Sequence, residues 1–224
     1  FVANETENLS WYDGPTVLEA LDTFEKRDPP VEKPLRLPIQ DVYKYDGGRA
    51  AVGKVESGVI EEGESIRIMP DGRETTVEKL VEFQKNPKRA IAGKSIGVSV
   101  SDKLFLDRGN VIIDNDVEPI VTDTVKAHIF WMSDDPFEEG ERIKFKCANQ
   151  EVNCDINIDR VIDSSTLEVL AGEEADKIEN RQVANVTIET AKPVVVEDFN
   201  NIQGLGRFVL ERTDTCAGGI ITEN

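Results

Sequence analysis

Apolar and polar residues alternate along this chain in short runs, and the period of that alternation changes once, near residue 30. Before it, Val17, Leu18, Leu21 and Phe24 recur at the spacing of one helix face. Pro15 stands where a missing N–H is harmless, Asp13 or Gly14 can cap, and the pattern stops ahead of Asp28-Pro29-Pro30. The double proline and Val31-Glu32-Lys33-Pro34 predict an extended linker, so the helix is expected to belong to something upstream.

From Leu35 the pattern shortens to β-branched runs broken by Gly, Pro, Asn and Asp, which predicts strands at 35–42, 51–56, 65–69, 75–83, 96–100 and 111–113. Turn signals stand at Asp46-Gly47-Gly48, Glu61-Glu62-Gly63 and Pro70-Asp71-Gly72. A second series follows Glu118-Pro119, at 125–132, 142–146, 152–158, 166–170, 183–191, 194–196, 206–211 and 217–222. Strands this short and this regular predict an all-β chain of two consecutive β-barrels preceded by one short helix, with boundaries at 1–33, 34–117 and 118–224. The segment 172–180 is polar nearly all round and reads as a surface turn or short excursion, not a core helix.

Composition narrows the function classes. The chain has 224 residues with 39% hydrophobic and 31% charged, enough apolar material for a core, which argues against disorder. Lys and Arg total 26 against 44 Asp and Glu, a formal charge of −18, so the average surface repels phosphate backbones and nucleic-acid binding is not expected. No run approaches a membrane span, and residues 1–10 have neither the basic start nor the apolar run of a signal peptide; a soluble, cytoplasmic location is expected, with no membrane partner. Three cysteines, Cys147, Cys154 and Cys216, fit neither a disulfide framework nor a zinc knuckle and read as buried reduced thiols.

Candidate chemistry is sparse. His128 is the sole histidine and lies in the alternating run 125–132, where it makes no readable triad and no zinc set; no catalytic or metal-binding residue is expected. Gly93-Lys94-Ser95 imitates the end of a phosphate loop, yet Lys88 occupies the position of the required earlier glycine and a strand follows instead of a helix, so no cofactor is expected in this chain. Lys85, Lys88 and Arg89 form a local basic patch, either a solvated loop or a functional one. Between two predicted strands, Phe137 stands among Asp134, Asp135, Glu138 and Glu139; it is a candidate partner contact or, alternatively, a plug for a barrel end.

Several segments carry a family resemblance. Trp11-Tyr12-Asp13-Gly14-Pro15-Thr16-Val17-Leu18-Glu19 resembles the segment closing the GTPase domain of elongation factors of the Tu/1-alpha type. Pro34 to Lys44 and Gly53-Lys54-Val55-Glu56-Ser57-Gly58 through Gly63 are similar to the opening of that family's second domain, a small β-barrel. Glycines 53, 58 and 63 suit a strand bend and tight turns. Further on, Phe130 to Phe137, Lys146 to Val152, Gly206-Arg207-Phe208-Val209-Leu210 and Ala217 to Ile221 resemble the GTPase subunit of heterodimeric sulfate adenylyltransferase (ATP sulfurylase).

This resemblance implies barrels of the translation-factor domain II and III type. It places GTP and magnesium in a GTPase domain ahead of Phe1, which makes the chain a fragment without a catalytic site of its own. In such a subunit GTP hydrolysis promotes formation of adenosine 5′-phosphosulfate in a separate catalytic subunit. The implied partners are the chain's own GTPase domain and that catalytic subunit. Domains II and III of a translation elongation or ribosome-rescue GTPase are the alternative, resting on Gln40-Asp41-Val42-Tyr43-Lys44, and a stand-alone acidic β-barrel binding module is a third reading.

Overall fold

A computed structural model describes residues 11–25, 28–45, 48–82, 86–172 and 175–222. Thr16 starts the first helix, α1 (Val17–Asp22), by a capping box: its hydroxyl accepts from the Glu19 N–H while the Glu19 carboxylate accepts from the Thr16 N–H. The cap is therefore Thr16, not Asp13 or Gly14, because only Thr16 stands three residues ahead of a glutamate. The apolar face of α1 is open to solvent, with Val17, Leu18 and Leu21 each 43–50% exposed.

The first barrel is built from β1 (Arg36–Tyr45), β2 (Gly48–Lys54), β3 (Val59–Glu61), β4 (Ser65–Met69), β5 (Arg73–Val81), β6 (Arg89–Ile91), β7 (Ser95–Val100) and β8 (Val111–Ile113). Six of these close a ring in the order β1-β2-β7-β5-β4-β8, while β3 and β6 pair as a separate ribbon. Closure needs bends. One is the register slip in β1 between Ile39 and Asp41, opposite Gly53, where an added Cβ would lie 2.2 Å from the Pro38 carbonyl oxygen. Gly58, at φ +74°, brings its backbone against Leu35 so closely that a Cβ would meet the Leu35 nitrogen at 2.6 Å. Alternate inward residues such as Leu37, Ile39, Ile66, Ile68, Val98 and Ile112 fill the interior.

The second barrel comprises β9 (Ile120–Trp131), β10 (Phe137–Glu138), β11 (Ile143–Cys147), β12 (Gln150–Asp163), β13 (Val169–Ala171), β14 (Lys177–Ile178), β15 (Gln182–Val196), helix α2 (Gln203–Gly206), β16 (Arg207–Glu211) and β17 (Thr215–Ile221). The order β11-β16-β17-β9-β15-β12 becomes a second ring because β11 also pairs with β12, and β13 adds to its edge. The predicted strands 183–191 and 194–196 are one strand, β15, interrupted by a register slip that Pro193 imposes by having no N–H to give the ladder. Between 175 and 180 the chain forms the short strand β14, where Ile178 is fully buried and pairs with Phe137 instead of lying in a surface turn.

The barrels touch through a small apolar cluster of Met69, Val111 and Ile113 from the first and Val195, Ile202 and Leu205 from the second. At its edge lies a buried ion pair, Arg36 Nε to Glu197 Oε1 at 2.6 Å, with the two side chains 1% and 7% exposed. Arg36 also donates to the Leu35 carbonyl at 2.9 Å, and the second Glu197 oxygen accepts from Asn201 at 3.3 Å. Asn149 donates across the junction to the Pro38 carbonyl at 3.3 Å.

Candidate functional site

The barrels leave a cleft beside that interface, as two adjoining cavities of about 590 and 660 Å³ that share Lys54, Glu56, Gly204 and Arg207. Strand β2 delivers Lys54 to its rim, and the tight turn between β6 and β7, with Gly93 at φ +89°, delivers Lys94. The second barrel contributes Arg207, the first residue of β16, and Lys146 of β11. Gly204 allows the close approach: a Cβ there would stand 2.6 Å from a Glu56 carboxylate oxygen.

Positive charge dominates this lining. Lys33, Lys54, Lys94, Lys146 and Arg207 face Asp28 and Glu56, an excess of cations in a chain whose net charge is −18. Lys54 pairs with Glu56 at 3.1 Å, and Lys33 donates to the Asn201 carbonyl. Lys146 is held by Glu211 at 2.6 Å, and that hydrogen bond pushes its ammonium pKa up. Lys94 and Arg207 make no ion pair among the described residues. The groove therefore offers fixed positive charge to an anion, and the field focused in a cleft adds to that attraction.

The residues singled out from the sequence scatter. Phe137 is fully buried, its ring 5.7 Å from that of Trp131, so it serves as the barrel plug and not as the exposed partner contact. The loop around it is clamped from outside. Arg212 lies 5.1 Å over the Trp131 ring, grips Glu141 with two hydrogen bonds of 2.5 and 2.6 Å, and donates to the carbonyls of Asp135 and Pro136. Such saturation of one guanidinium draws the loop onto the barrel and takes Phe137 inward with it.

His128 points outward from β9 and is exposed. Within the basic patch, Arg89 is paired with Glu61 at 3.0 Å, Lys88 is exposed, and Lys85 lies outside the described residues. Gly93-Lys94-Ser95 joins two strands, so its backbone N–H groups do not lead into a helix and do not form a phosphate loop. No group of three His, Cys, Asp or Glu fit to hold a metal occurs among the described residues. Burial pushes the thiols of Cys147 and Cys154 up to about 12, as expected of inert core cysteines. Lys54, Lys94 and Arg207 fall in separate segments, so no local pattern signals their convergence; docking of the two barrels brings them to one cavity.

Two closed six-stranded antiparallel rings in series, docked edge to edge with a cleft beside the junction, define a paired-barrel module of the translation-factor type. Residues 48–113 match the family described as elongation factor Tu domain 2, and residues 124–222 match the family described as GTP-eEF1A C-terminal domain-like. The chain carries domains II and III of the elongation factor Tu/1-alpha family.

Among curated relatives, elongation factor 1-alpha of Natronomonas pharaonis is 35% identical over 97% of this chain and 53% of its own length. That of Methanopyrus kandleri is 37% identical over 98% and 55%. Sulfate adenylyltransferase subunit 1 of Aeromonas salmonicida is 27% identical over 99% and 48%. The chain thus spans about half the length of the curated relatives it matches. A solved structure of sup35 complexed with GMPPNP superposes with a TM-score of 0.80 at 22% identity, covering 99% of this chain and 55% of that one, which establishes the shared fold.

Proposed function

We propose that these barrels are the non-catalytic arm of a translational GTPase of the Tu/1-alpha type, working with a separate nucleotide-binding domain that holds GTP and magnesium. The observation carrying this reading is the order of identity among relatives: the elongation factors stand above the sulfate-activating subunit across almost the same residues. The cationic cleft is compatible with it, since a protein that handles RNA needs local positive charge even where its mean surface is acidic.

The second reading is the GTPase subunit of sulfate adenylyltransferase, favoured by a match that runs over 99% of this chain. One experiment separates the two. The full-length gene product is loaded with GTP or GDP, and the hydrolytic half-life of an aminoacyl-tRNA ester is measured in its presence. Protection with GTP and not with GDP supports the translational reading. Absence of protection, together with GTP-stimulated adenosine 5′-phosphosulfate formation by a sulfurylase subunit, replaces it with the second.

A further inference from the structure

The cleft between the barrels keeps an excess of positive charge when every carboxylate around it is counted. On its outer side, Lys144, Glu151, Lys146 and Glu211 form a chain of ion pairs at 2.7, 3.4 and 2.6 Å whose charges cancel. Four cations remain, Lys33, Lys54, Lys94 and Arg207, against the two carboxylates of Asp28 and Glu56, all lining one cavity of about 660 Å³. Two positive charges in that cavity are therefore unbalanced. Its volume lies within the range of about 300–1,000 Å³ usual for small-molecule sites.

Register places two of the cations side by side. Lys54 of β2 lies opposite Ser95 of β7, and the Lys94 carbonyl accepts from the Val55 N–H at 2.8 Å, so Lys54 and Lys94 are cross-strand neighbours. Like charges at such positions repel. Glu56 offsets Lys54 at 3.1 Å, whereas Lys94 and Arg207, both exposed, make no ion pair among the described residues. These two uncommitted cations reach the cavity from different barrels.

A single negative charge gains little in such a place, because Asp28 and Glu56 face the same space and dissolved salt competes for the cations. Attraction grows with the charge of the ligand, while the freedom lost on immobilising one small molecule does not. The net charge of −18 opposes an anion from afar, and salt at 0.1 M screens it beyond about 10 Å. We propose that the cleft binds a compact multivalent oxyanion, one small molecule with at least three negative charges, held by Lys54 and Lys94 of the first barrel and Arg207 of the second. Oligophosphates and polycarboxylates share this chemistry. Magnesium-bound GTP falls outside it, since the metal offsets much of the charge on the phosphate tail. Such binding does not depend on the translational reading, which the ester-protection assay tests by itself.

The test is a ¹H–¹⁵N correlation titration of the 224-residue chain with tripolyphosphate, citrate and acetate. Tripolyphosphate or citrate is expected to shift amides of residues 54–57, 93–95 and 204–207 with a Kd of about 1 mM, and acetate to bind about tenfold more weakly. Whichever of the first two binds more tightly assigns the cleft to phosphate chains or to polycarboxylates. Lys94→Gln with Arg207→Gln, both on exposed side chains, is expected to weaken that ligand about tenfold with the rest of the spectrum unchanged. Arg49→Gln with Lys103→Gln removes the same charge from exposed positions outside the cleft and is expected to change binding less than about twofold. Acetate bound as tightly as the multivalent ions, equal weakening by the two double variants, unaltered binding by the cleft variant, or no shift at those residues overturns the proposal.

Discussion

Removing Glu197 tests whether the two barrels are held by charge as well as by shape. Its carboxylate is 7% exposed and sits 2.6 Å from the Arg36 Nε, whose side chain is 1% exposed. Truncation to alanine leaves a guanidinium with one remaining acceptor, the Leu35 carbonyl, in a site that water scarcely reaches. Breaking one side of a buried pair costs about 3–5 kcal/mol, because the surviving charge stays desolvated and unpaired.

For a chain of this length each kcal/mol corresponds to about 2–4 °C of melting temperature, so Glu197→Ala is expected to melt roughly 6–20 °C lower. Urea denaturation followed through Trp131, buried in the second barrel, gives the free energy directly. A comparison variant carries Arg36→Met with Glu197→Leu, which removes both charges and keeps the volume. It is expected to recover most of the loss, since a buried pair and its apolar replacement differ little in net stability. A loss under about 1 kcal/mol for Glu197→Ala, or a double variant no more stable than the single one, refutes the reasoning.

Phe137→Ala removes a fully buried ring packed on Trp131 and is expected to cost about 3–5 kcal/mol in a thermal or urea melt; an unchanged melt would return the residue to the surface. The thiols of Cys147 and Cys154 have folded pKa values raised to about 12 from 9.0. Between those values the unfolded chain releases protons that the folded one keeps, so the stability these two thiols contribute is fully present below pH 9.0 and is lost progressively as pH rises through about 12; urea melts across that window check it. With a net charge of −18, the folded chain repels itself, and raising sodium chloride from 0.1 to 1 M shortens the screening length from about 10 to 3 Å. The melting temperature is expected to climb with salt, and a flat response counts against self-repulsion. Calorimetric titration of the isolated chain with GTP and magnesium is expected to show no site, with Lys94→Ala indistinguishable from the parent; a micromolar site would contradict the strand-turn reading of Gly93-Lys94-Ser95.

Much of the architecture can be read before any coordinate is known, for a local reason. Strands 65–69 and 111–113 are short runs rich in β-branched residues, bounded by turn residues inside a window of a few positions, and the structure places β4 and β8 on those same residues. Gly58 and Gly63, placed at turn signals, take positive φ, which glycine adopts without the steric cost a Cβ brings. Short ribbons such as β3 with β6 and β10 with β14 stay invisible, since their two or three positions mix apolar with charged residues, whereas the equally short β8 is an unbroken β-branched run, Val111-Ile112-Ile113.

What only the tertiary structure decided involves residues far apart in the chain. Phe137 in an acidic loop has the same local pattern whether it faces solvent or plugs the barrel; Arg212, 75 positions later, settles it by clamping Glu141 and capping Trp131. Arg36 reads as an ordinary surface position on a strand until Glu197 is brought to it across the barrel junction. The cationic cleft is the same case, because Lys54, Lys94 and Arg207 lie on separate strands and turns and share a wall only after both rings have closed. Composition averages the charge over the whole chain, whereas ring closure and docking determine where that charge is concentrated.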